Sequence, residues 1–243
     1  MRVFLSDLHL EDPSTAVFQS FKAIMAREAE RADEIYLLGD ITEVWVGDDD
    51  DGPLALALTE VLSRASERCE VALMHGNRDF LFGPSFANAT GLKLLEDPTC
   101  LDDDTALAHG DAFCIEDTAY QEVRALFRSK EWQDSVLGQS LDARRELARS
   151  LRAESRTANA NKAENIMDVT TLEVDRVMAE LGAVRLIHGH THRPGCHQHS
   201  WGKRTVLGAW ERCAWLARQA APGEELNLEC WPLAGATTAA GPG

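Results

Sequence analysis

Apolar runs of strand length alternate with helical repeats along the first third of the chain. Residues 3–5 form a short β-rich run, and residues 34–40 and 71–77 contain apolar runs of the kind that form buried strands. Residues 18–32 and 54–69 carry apolar side chains every three or four positions, as an amphipathic helix does. This order of strand, helix, strand, helix, strand predicts a layered α/β fold in which at least part of the sheet is parallel.

Further strands are predicted near residues 105–109, 184–190 and 205–210. The segment from about 118 to 182 is rich in Ala, Arg, Glu and Leu, a composition that favours helix. Because strands of the same core are predicted on both sides of it, we interpret it as a helical cap inserted into one domain spanning residues 1–233. Residues 234–243 have too little apolar surface to join a core and are predicted to be a disordered tail.

The chain is acidic, with a formal net charge of −16 over 243 residues. Nucleic-acid backbones and anionic membranes repel such a body, so contact with either requires a local basic patch. We expect no nucleic-acid partner and predict no protein partner. The six cysteines include no C-x-x-C pair, which favours reduced thiols in the cytoplasm over a disulfide framework. The N-terminal run is predicted to be a strand rather than a signal peptide.

Five of the predicted strands end in side chains that bind metals. Carboxyl ends of parallel strands meet at one edge of a sheet, so we expect these side chains to share one cleft. Burying so many carboxylates and imidazoles is costly unless cations neutralise them. Mixed oxygen and imidazole donors without thiolate suit Mn²⁺, Fe²⁺ or Zn²⁺, and their number suits two metals. The residues are Asp7, His9, Asp40, Asn77, His109, His188, His190 and His192.

The ordered set D-x-H, G-D, G-N, H and G-H-x-H resembles that of the calcineurin-like metallophosphoesterases. The resemblance covers the chain from Asp7 to His192 and implies a layered α/β/β/α sandwich. It also implies two ligand sets that share Asp40 and leave His188 as a supporting residue. One set would be Asp7, His9, Asp40 and His192, and the other would be Asp40, Asn77, His109 and His190.

Longer motifs resemble those of the UDP-2,3-diacylglucosamine hydrolases, over nearly the whole chain to about Pro232. These motifs are GDITEVWVGDDD (39–50), HGNRDFLFG (75–83), AHGDAFCIEDTAYQ (108–121), SRTANANKAENIMDV (155–169) and HGHTHRP (188–194). The resemblance implies hydrolysis of the pyrophosphate bond of UDP-2,3-diacylglucosamine to UMP and 2,3-diacylglucosamine 1-phosphate in lipid A biosynthesis. It implies two Mn²⁺ ions, with Fe²⁺ or Zn²⁺ as possible replacements.

The same resemblance implies the roles of individual residues. Catalytic roles fall to Asp40, Asn77, Arg78 and His109. Substrate contacts would be Asn77, Arg78, Asp117, Ser155, Asn159, Lys162 and His190. Many metallophosphoesterases have a histidine where this chain has Arg78. Arginine cannot donate a proton at working pH but clamps phosphates with two hydrogen bonds, which favours a pyrophosphate over an alkyl phosphodiester.

One region departs from the family pattern, because residues 127–155 are polar where members carry an apolar, membrane-seeking stretch. This region and the residue after it contain a dense basic cluster of Arg144, Arg145, Arg149, Arg152 and Arg156. We hypothesise that the cap covers the acyl chains and that the cluster contacts the anionic cytoplasmic face of the inner membrane. The protein would then be cytoplasmic and peripherally associated with that membrane. The acidic loop 47–51 is interpreted as a solvated loop at the rim of the cleft.

Two alternatives stay open. The first is a metallophosphoesterase that acts on another nucleotide pyrophosphate or on a cyclic phosphodiester. The second is a metal-stabilised interaction scaffold without activity, which the complete ligand set argues against. A DNA exonuclease on this fold would need a basic groove, and the acidic chain does not obviously supply one.

Overall fold

Two β-sheets form the centre of the computed structural model, which describes residues 1–101, 104–159 and 168–235. The first sheet has the order β11-β10-β1-β2-β3-β4, and the second has the order β5-β6-β7-β9-β8. The strands are β1 (Arg2–Leu5), β2 (Glu34–Leu38), β3 (Glu70–Met74), β4 (Lys93–Leu95), β5 (Thr99–Cys100), β6 (Thr105–Leu107), β7 (Arg185–His188), β8 (Gly195–His199), β9 (Gly202–Val206), β10 (Cys213–Gln219) and β11 (Leu226–Pro232). Strands β1 to β4 are parallel, as the sequence predicts.

Seven α-helices connect or cover the strands within the described residues. They are α1 (Ala16–Glu28), α2 (Pro53–Ser66), α3 (Pro84–Thr90), α4 (Thr118–Arg128), α5 (Lys130–Leu137), α6 (Leu141–Asn159) and α7 (Thr171–Leu181). The Thr15 side chain accepts a hydrogen bond at the start of α1, and Ser129 does the same for α5. Proline opens both α2 and α3, where its missing N–H costs nothing.

Alternating side chains along each strand divide the core into three layers. Val3 and Leu5 pack with α1 and α2 on one side of the first sheet, whereas Phe4 points to the second sheet. In the second sheet, Leu186 faces α7 and Ile187 faces the first sheet. This two-residue period is what a sheet buried on both faces requires. The fold is therefore the expected α/β/β/α sandwich.

The predicted cap segment divides into two parts. Helix α7 packs Val174 and Met178 against the second sheet, so it belongs to the outer layer of the sandwich. In helix α4 every side chain retains some exposure, and α5 buries only Val136. We therefore propose a cap of α4 to α6, narrower than residues 118–182. The last residues of the predicted tail, 236–243, lie outside the described part of the chain.

The cysteine prediction differs from the structure at one pair. Cys213 and Cys230 form a disulfide between β10 and β11, with Cα atoms 5.8 Å apart. The two strands are antiparallel neighbours, and this pairing brings together residues 17 apart in sequence. The sequence analysis placed no strand after residue 210, so it had no reason to pair these cysteines. Cys69, Cys100, Cys114 and Cys196 are free thiols, as predicted.

None of the helices that the structure describes combines the length and the apolar character that a membrane-spanning helix needs.

Candidate dinuclear metal site

The predicted metal ligands lie on loops that follow the carboxyl ends of five strands. Asp7 and His9 follow β1, Asp40 follows β2, Asn77 follows β3, His109 follows β6, and His190 and His192 follow β7. The loops after β1 and β2 run side by side, because the Asp7 amide donates to the Gly39 carbonyl and the His9 amide to the Asp40 carbonyl. Within the described residues, the two sheets therefore bring all seven predicted ligands to one end of the sandwich.

Five of these seven residues have a left-handed backbone. Their φ angles are 55° at Asp7, 50° at His9, 51° at Asp40, 66° at His190 and 56° at His192. This conformation is uncommon for residues with a Cβ atom, and such residues concentrate at functional sites. The turn after each strand aims the side chain at the centre of the cleft.

Glycines beside the ligands allow backbones and side chains to approach closely. A Cβ atom on Gly76 would lie 2.1 Å from the Asp40 backbone nitrogen and 2.2 Å from its Oδ1 atom. A Cβ atom on Gly189 would lie 2.2 Å from Asp7 Oδ2 and still closer to the Ser6 hydroxyl. These contacts are shorter than van der Waals packing allows, so the glycines are part of the site's construction.

The first group of facing atoms comes from Asp7, His9 and His192. The Nε2 atoms of His9 and His192 are 3.1 Å apart, and His192 Nε2 is 3.4 Å from Asp7 Oδ1. One ligand atom from each residue lies within 4.8 Å of the others. Nitrogen and oxygen atoms bound at about 2.1 Å to one cation lie roughly 3 Å from each other, so this group fits a single divalent cation.

The second group surrounds the Asn77 side chain. Asn77 Oδ1 is 3.0 Å from His109 Nε2 and 2.9 Å from His190 Nδ1. Asp40 Oδ1 is 3.7 Å from His109 Nε2. Ligand atoms of Asp7, Asp40 and His109 also come within 4.8 Å of one another, so the two carboxylates lie between the groups. The arrangement can therefore hold two cations side by side.

The electrostatics of the buried groups also fit cations. Burial, with nearby Asp79 and Asp7, raises the pKa of Asp40 to about 7, although His109 opposes the shift. Burial lowers the pKa of His9 to about 3 and that of His190 to about 4, which keeps both imidazoles neutral and able to bind metal. A divalent cation between Asp7 and Asp40 would offset the repulsion between their carboxylates.

Arg78 lies at the mouth of the site. Its amide donates to Asp40 Oδ1 at 2.9 Å, its Nε atom lies 3.2 Å from Asp40 Oδ2, and its Nη1 atom pairs with Glu43. Glu43 also accepts two hydrogen bonds from Arg152 of α6 and lies 3.5 Å from His9 Nδ1. The sequence analysis gave Glu43 no role, although it lies in a quoted motif.

Asp79 is a further residue without a role in the sequence analysis. Its buried carboxylate accepts hydrogen bonds from the amides of Asp40, Ile41, Thr42 and Gly76. These bonds join the loop after β2 to the loop after β3. Asp79 thus positions the backbone that carries Asp40 and Asn77. The only signal in the sequence was its place in HGNRDF.

Helix α4 is tied to the site by polar side chains on one face. The buried carboxylate of Asp111 accepts hydrogen bonds from the Tyr120 hydroxyl at 2.6 Å and from Arg124 Nε at 2.9 Å. The Tyr120 ring stacks on the His190 ring, with 6.0 Å between centroids, and Arg128 donates to the Gly76 carbonyl. The spacing of four residues between these side chains was a helical signal that the sequence analysis left unused.

The remaining predicted residues lie in several places. Asp117 caps α4 by accepting from the Tyr120 amide, and Ser155 lies on α6. Asn159 is the last residue of α6, but its side chain and the whole of Lys162 lie outside the described part of the chain. His188 is fully buried, contacts Arg204 and the Gly189 carbonyl, and belongs to neither ligand group. Its supporting role stays a prediction.

The four described side chains of the arginine cluster each form an ion pair with a carboxylate of the protein. Arg144 is 4 % exposed and forms a two-pronged ion pair with Asp49, besides donating to the Val46 carbonyl. Arg145 pairs with Asp50 and Asp51. The acidic loop 47–51 thus contacts α6, while the side chains of Asp49 and Asp51 stay 65 % and 83 % exposed, which agrees with its interpretation as a solvated loop. The Arg156 side chain lies outside the described part of the chain.

Comparisons with known proteins agree with this geometry. No family model matches the chain. It is 42 % identical over 239 residues to the UDP-2,3-diacylglucosamine hydrolase of Cellvibrio japonicus, covering 95 % of this chain and 99 % of that protein. It is 45 % identical over 217 residues to the hydrolase of the same name from Chromohalobacter salexigens, covering 86 % of this chain and 88 % of the relative.

The fold has a counterpart among solved structures. A dimetal phosphatase from Danio rerio aligns with a TM-score of 0.53 and 15 % identity, covering 95 % of each chain. At this identity the likeness concerns the fold alone. The alignments cover 99 % and 88 % of the two UDP-2,3-diacylglucosamine hydrolases, at more than 40 % identity. The chain therefore belongs to the UDP-2,3-diacylglucosamine hydrolase family.

Proposed function

We propose that this protein hydrolyses the pyrophosphate bond of UDP-2,3-diacylglucosamine to give UMP and 2,3-diacylglucosamine 1-phosphate, a step of lipid A biosynthesis. The observation that carries the proposal is the position of Arg78. Its guanidinium lies 3.2 Å from Asp40 at the centre of the two ligand groups, where it can bind the second phosphate of a diphosphate. The names of the family members supply the identity of the substrate.

Two divalent cations would be held by the two groups of side chains. Asp7, His9, Asp40 and His192 would hold one, and Asp40, Asn77, His109 and His190 the other. Two bound cations would supply the Lewis acidity that activates the attacking water and offsets phosphoryl charge. Nitrogen and oxygen donors without thiolate suit Mn²⁺, which we propose as the native metal, with Fe²⁺ or Zn²⁺ as replacements.

The chain's own residues have separate tasks in this reaction. Asp40 lies between the two groups and fixes their separation. The side-chain oxygen of Asn77 faces the imidazoles of His109 and His190, so its amide nitrogen can donate to a phosphoryl oxygen. Arg78 stabilises charge on the departing sugar 1-phosphate, which is a weak base and needs no proton donor. The His109 imidazole donates Nδ1–H to the Leu38 carbonyl, which orients Nε2 toward the cleft.

The cap supplies the contacts to the lipid half of the substrate. Phe80, two residues after Arg78, packs with Phe127 of α4 and Trp132 of α5, with centroids 5.9 Å from each ring. We propose that acyl chains pack beside this aromatic cluster. Asp117, Ser155, Asn159 and Lys162 are proposed contacts to the glucosamine unit and its phosphate, together with His190.

A membrane-bound substrate suggests peripheral contact with the cytoplasmic face of the inner membrane. The described structure does not support the arginine cluster as the contact surface. Ile115, Val123 and Leu126 are between 43 % and 53 % exposed, and the last two lie one turn apart on α4. Their side of α4 differs from the side that carries Tyr120 and Arg124 to the site. We propose that these apolar side chains contact the lipid surface.

The proposed reaction is tested with Mn²⁺, UDP-2,3-diacylglucosamine and ¹⁸O-labelled water, followed by phosphorus NMR. We expect UMP and 2,3-diacylglucosamine 1-phosphate as products, with the label in UMP alone if water attacks the phosphorus next to uridine. Asp40→Ala should abolish turnover and lower the Mn²⁺ content, because it removes a ligand from both groups. Asp134→Ala, in an exposed ion pair on α5, is the control. No turnover of this substrate, with rapid cleavage of a cyclic nucleotide, would contradict the proposal.

A further inference from the structure

A cavity of about 650 Å³ lies next to the metal site and has no role in the proposal above. Its walls come from the loop after β1, from the segment between β2 and the start of α2, and from one face of α6. None of the aromatic residues Phe80, Phe127 and Trp132 lines it, so it is separate from the aromatic cluster of the cap. Its volume lies within the roughly 300–1,000 Å³ of small-molecule sites.

Two lining residues connect the cavity to the reaction centre. Glu43 lines the cavity and also contacts His9 and Arg78. Arg152 lines it as well and donates two hydrogen bonds to Glu43, at 3.0 Å and 2.6 Å. A phosphorus atom held between the metal ligands and Arg78 therefore has this cavity beside it. The proposed diphosphate substrate carries a diacylated sugar on one phosphate and a nucleoside on the other. The aromatic cluster is the proposed site for the acyl chains of the sugar, so the site of the nucleoside is still unassigned.

The lining combines an apolar surface with both donors and acceptors. Val44, Val46 and Leu54 offer apolar contact. Glu11 and Asp12 supply carboxylates that accept hydrogen bonds, and both side chains are exposed. Arg149 on α6 donates to Glu146 through Nε and Nη2 and offers its Nη1 atom as a further guanidinium donor. A nucleoside presents the complementary set, since its ring has an apolar face, its carbonyl oxygens accept, and its ribose hydroxyls donate.

We propose that this cavity binds the nucleoside 5′-monophosphate half of the diphosphate substrate. The base packs on the apolar wall and accepts from Arg149, the ribose hydroxyls donate to Glu11 and Asp12, and the 5′-phosphate points past Glu43 to the metal site. This inference rests on the proposed function and adds to it the place of the nucleotide. It makes the nucleoside a part of the substrate that the protein recognises.

The experiment fills the cavity and measures inhibition by UMP. Ala148 lies in the wall on α6 and is partly exposed, so Ala148→Trp places an indole in the space proposed for the nucleoside. We expect the UMP inhibition constant and the KM for UDP-2,3-diacylglucosamine each to rise about tenfold or more. Ala143→Trp adds the same side chain at an exposed position of α6 outside the cavity, and should leave both constants unchanged. Equal inhibition of the two variants by UMP would overturn the inference.

A second comparison keeps the test valid if Ala148→Trp does not fold. Wild-type protein should bind UMP better than 2′-deoxyuridine monophosphate, by several-fold, because the latter lacks one ribose hydroxyl. Glu11→Ala combined with Asp12→Ala should remove this preference and leave the Mn²⁺ content intact. A preference that persists in the double variant would overturn the inference while the enzyme still hydrolyses its substrate. Absence of hydrolysis by the wild type would instead count against the proposed function.

Discussion

At the scale of single residues, the site depends on backbone shapes that few side chains adopt. Asp40 has a φ angle of 51°, and Gly76 lies so close to it that no Cβ atom fits between them. Gly76 thereby contacts both the backbone nitrogen and the carboxylate of Asp40. This crowding fixes the direction in which the ligand points.

Gly76→Ala tests this crowding. The added methyl group would lie 2.1 Å from the Asp40 nitrogen, so we expect a loss of about 1–3 kcal/mol in unfolding free energy. Displacement of Asp40 by about 1 Å should lower kcat roughly 100-fold. Gly195→Ala is the control, because its nearest neighbour is His197 Nε2 at 3.7 Å. Chemical denaturation and steady-state kinetics measure both effects, and an active, stable Gly76→Ala variant would contradict the argument.

The sequence predicted which residues form the site better than it predicted what holds them in place. Asp7, Asp40 and His109 could be found because metal-binding side chains at strand ends are visible in one dimension. Asp79 could not be assigned a role, because its four hydrogen bonds depend on the relative position of two loops. Tyr120 reaches the site only because α4 folds back over it.

At the scale of elements, the position of α6 depends on an ion pair between two residues that are far apart in the sequence. Arg144 and Asp49 are 95 residues apart, and the Arg144 guanidinium is buried between the acidic loop and the Val46 carbonyl. Hydrogen bonds from Arg144 hold the pKa of Asp49 below its usual value. Arg152 follows on the same helix and donates to Glu43, so the pair also places a residue that contacts the metal site.

A double-mutant cycle on Arg144 and Asp49 measures this contribution. Asp49→Ala should cost about 1–3 kcal/mol of unfolding free energy, because it leaves the Arg144 side chain, which is only 3 % exposed, without its carboxylate partner. Arg144→Ala should cost a similar amount and also raise the KM, since α6 loses its anchor. The double variant should be less destabilised than the sum of the two single changes.

The matched control for this cycle lies on the same helix. Arg149 and Glu146 form an exposed ion pair, with side chains 68 % and 72 % exposed. Arg149→Ala should change the unfolding free energy by less than about 0.5 kcal/mol, because solvent screens such pairs. Strictly additive effects of Arg144→Ala and Asp49→Ala would show that the two side chains do not act together.

The predicted elements were those with strong local periodicity. Strands β1, β2, β3, β6 and β7 coincide with predicted runs, within a few residues at their ends, whereas the run predicted at 205–210 overlaps β9 only at Thr205 and Val206. Helix α3 has seven residues, too few to show a helical repeat. Strand β11 lies at the edge of the first sheet, and its apolar residues alternate with Asn227 and Glu229. An edge strand of this kind is stabilised by its partner β10, which sequence periodicity does not show.

At the scale of the whole molecule, a buried ion pair joins the first helix to β10, on the face of the first sheet that this helix covers. The Glu28 carboxylate of α1 is 1 % exposed and accepts hydrogen bonds from Arg218 of β10 and from Arg27. Burial alone would raise the pKa of Glu28, but the two arginines hold it below its usual value of 4.5. The charged form is therefore favoured by folding, and the stabilisation is present above pH 4.5 and decreases below it.

Glu28→Gln should therefore have a pH-dependent effect on stability. At pH 7 we expect a loss of about 1.5–3 kcal/mol, the usual worth of hydrogen bonds to a charged group. The difference from the wild type should shrink as the pH falls below 4.5, because Glu28 itself then becomes protonated. Urea denaturation at a series of pH values measures this. Glu60→Gln, in an exposed pair with Arg64, should show little difference at any pH, and a constant Glu28→Gln effect would contradict the assignment.

The net charge decides how salt should affect the proposed membrane contact. A molecule of charge −16 is repelled by anionic lipid. Transfer of the exposed apolar side chains of Val123 and Leu126 from water into the lipid is nevertheless favourable in free energy. Raising salt from 0.1 M to 1 M shortens the Debye length from about 10 Å to about 3 Å and removes most of the repulsion. If the apolar face of α4 makes the contact, binding to anionic vesicles should therefore strengthen with salt.

If arginines made the contact, vesicle binding would instead weaken as salt is raised, because salt screens attraction as well as repulsion. Val123→Glu with Leu126→Glu should abolish vesicle binding at high salt, while Arg149→Glu should change it little, since Arg149 is already paired with Glu146. Vesicle sedimentation at both salt concentrations distinguishes the two contacts. Binding that weakens with salt and depends on Arg149 would return the contact to the basic cluster and reject the apolar face.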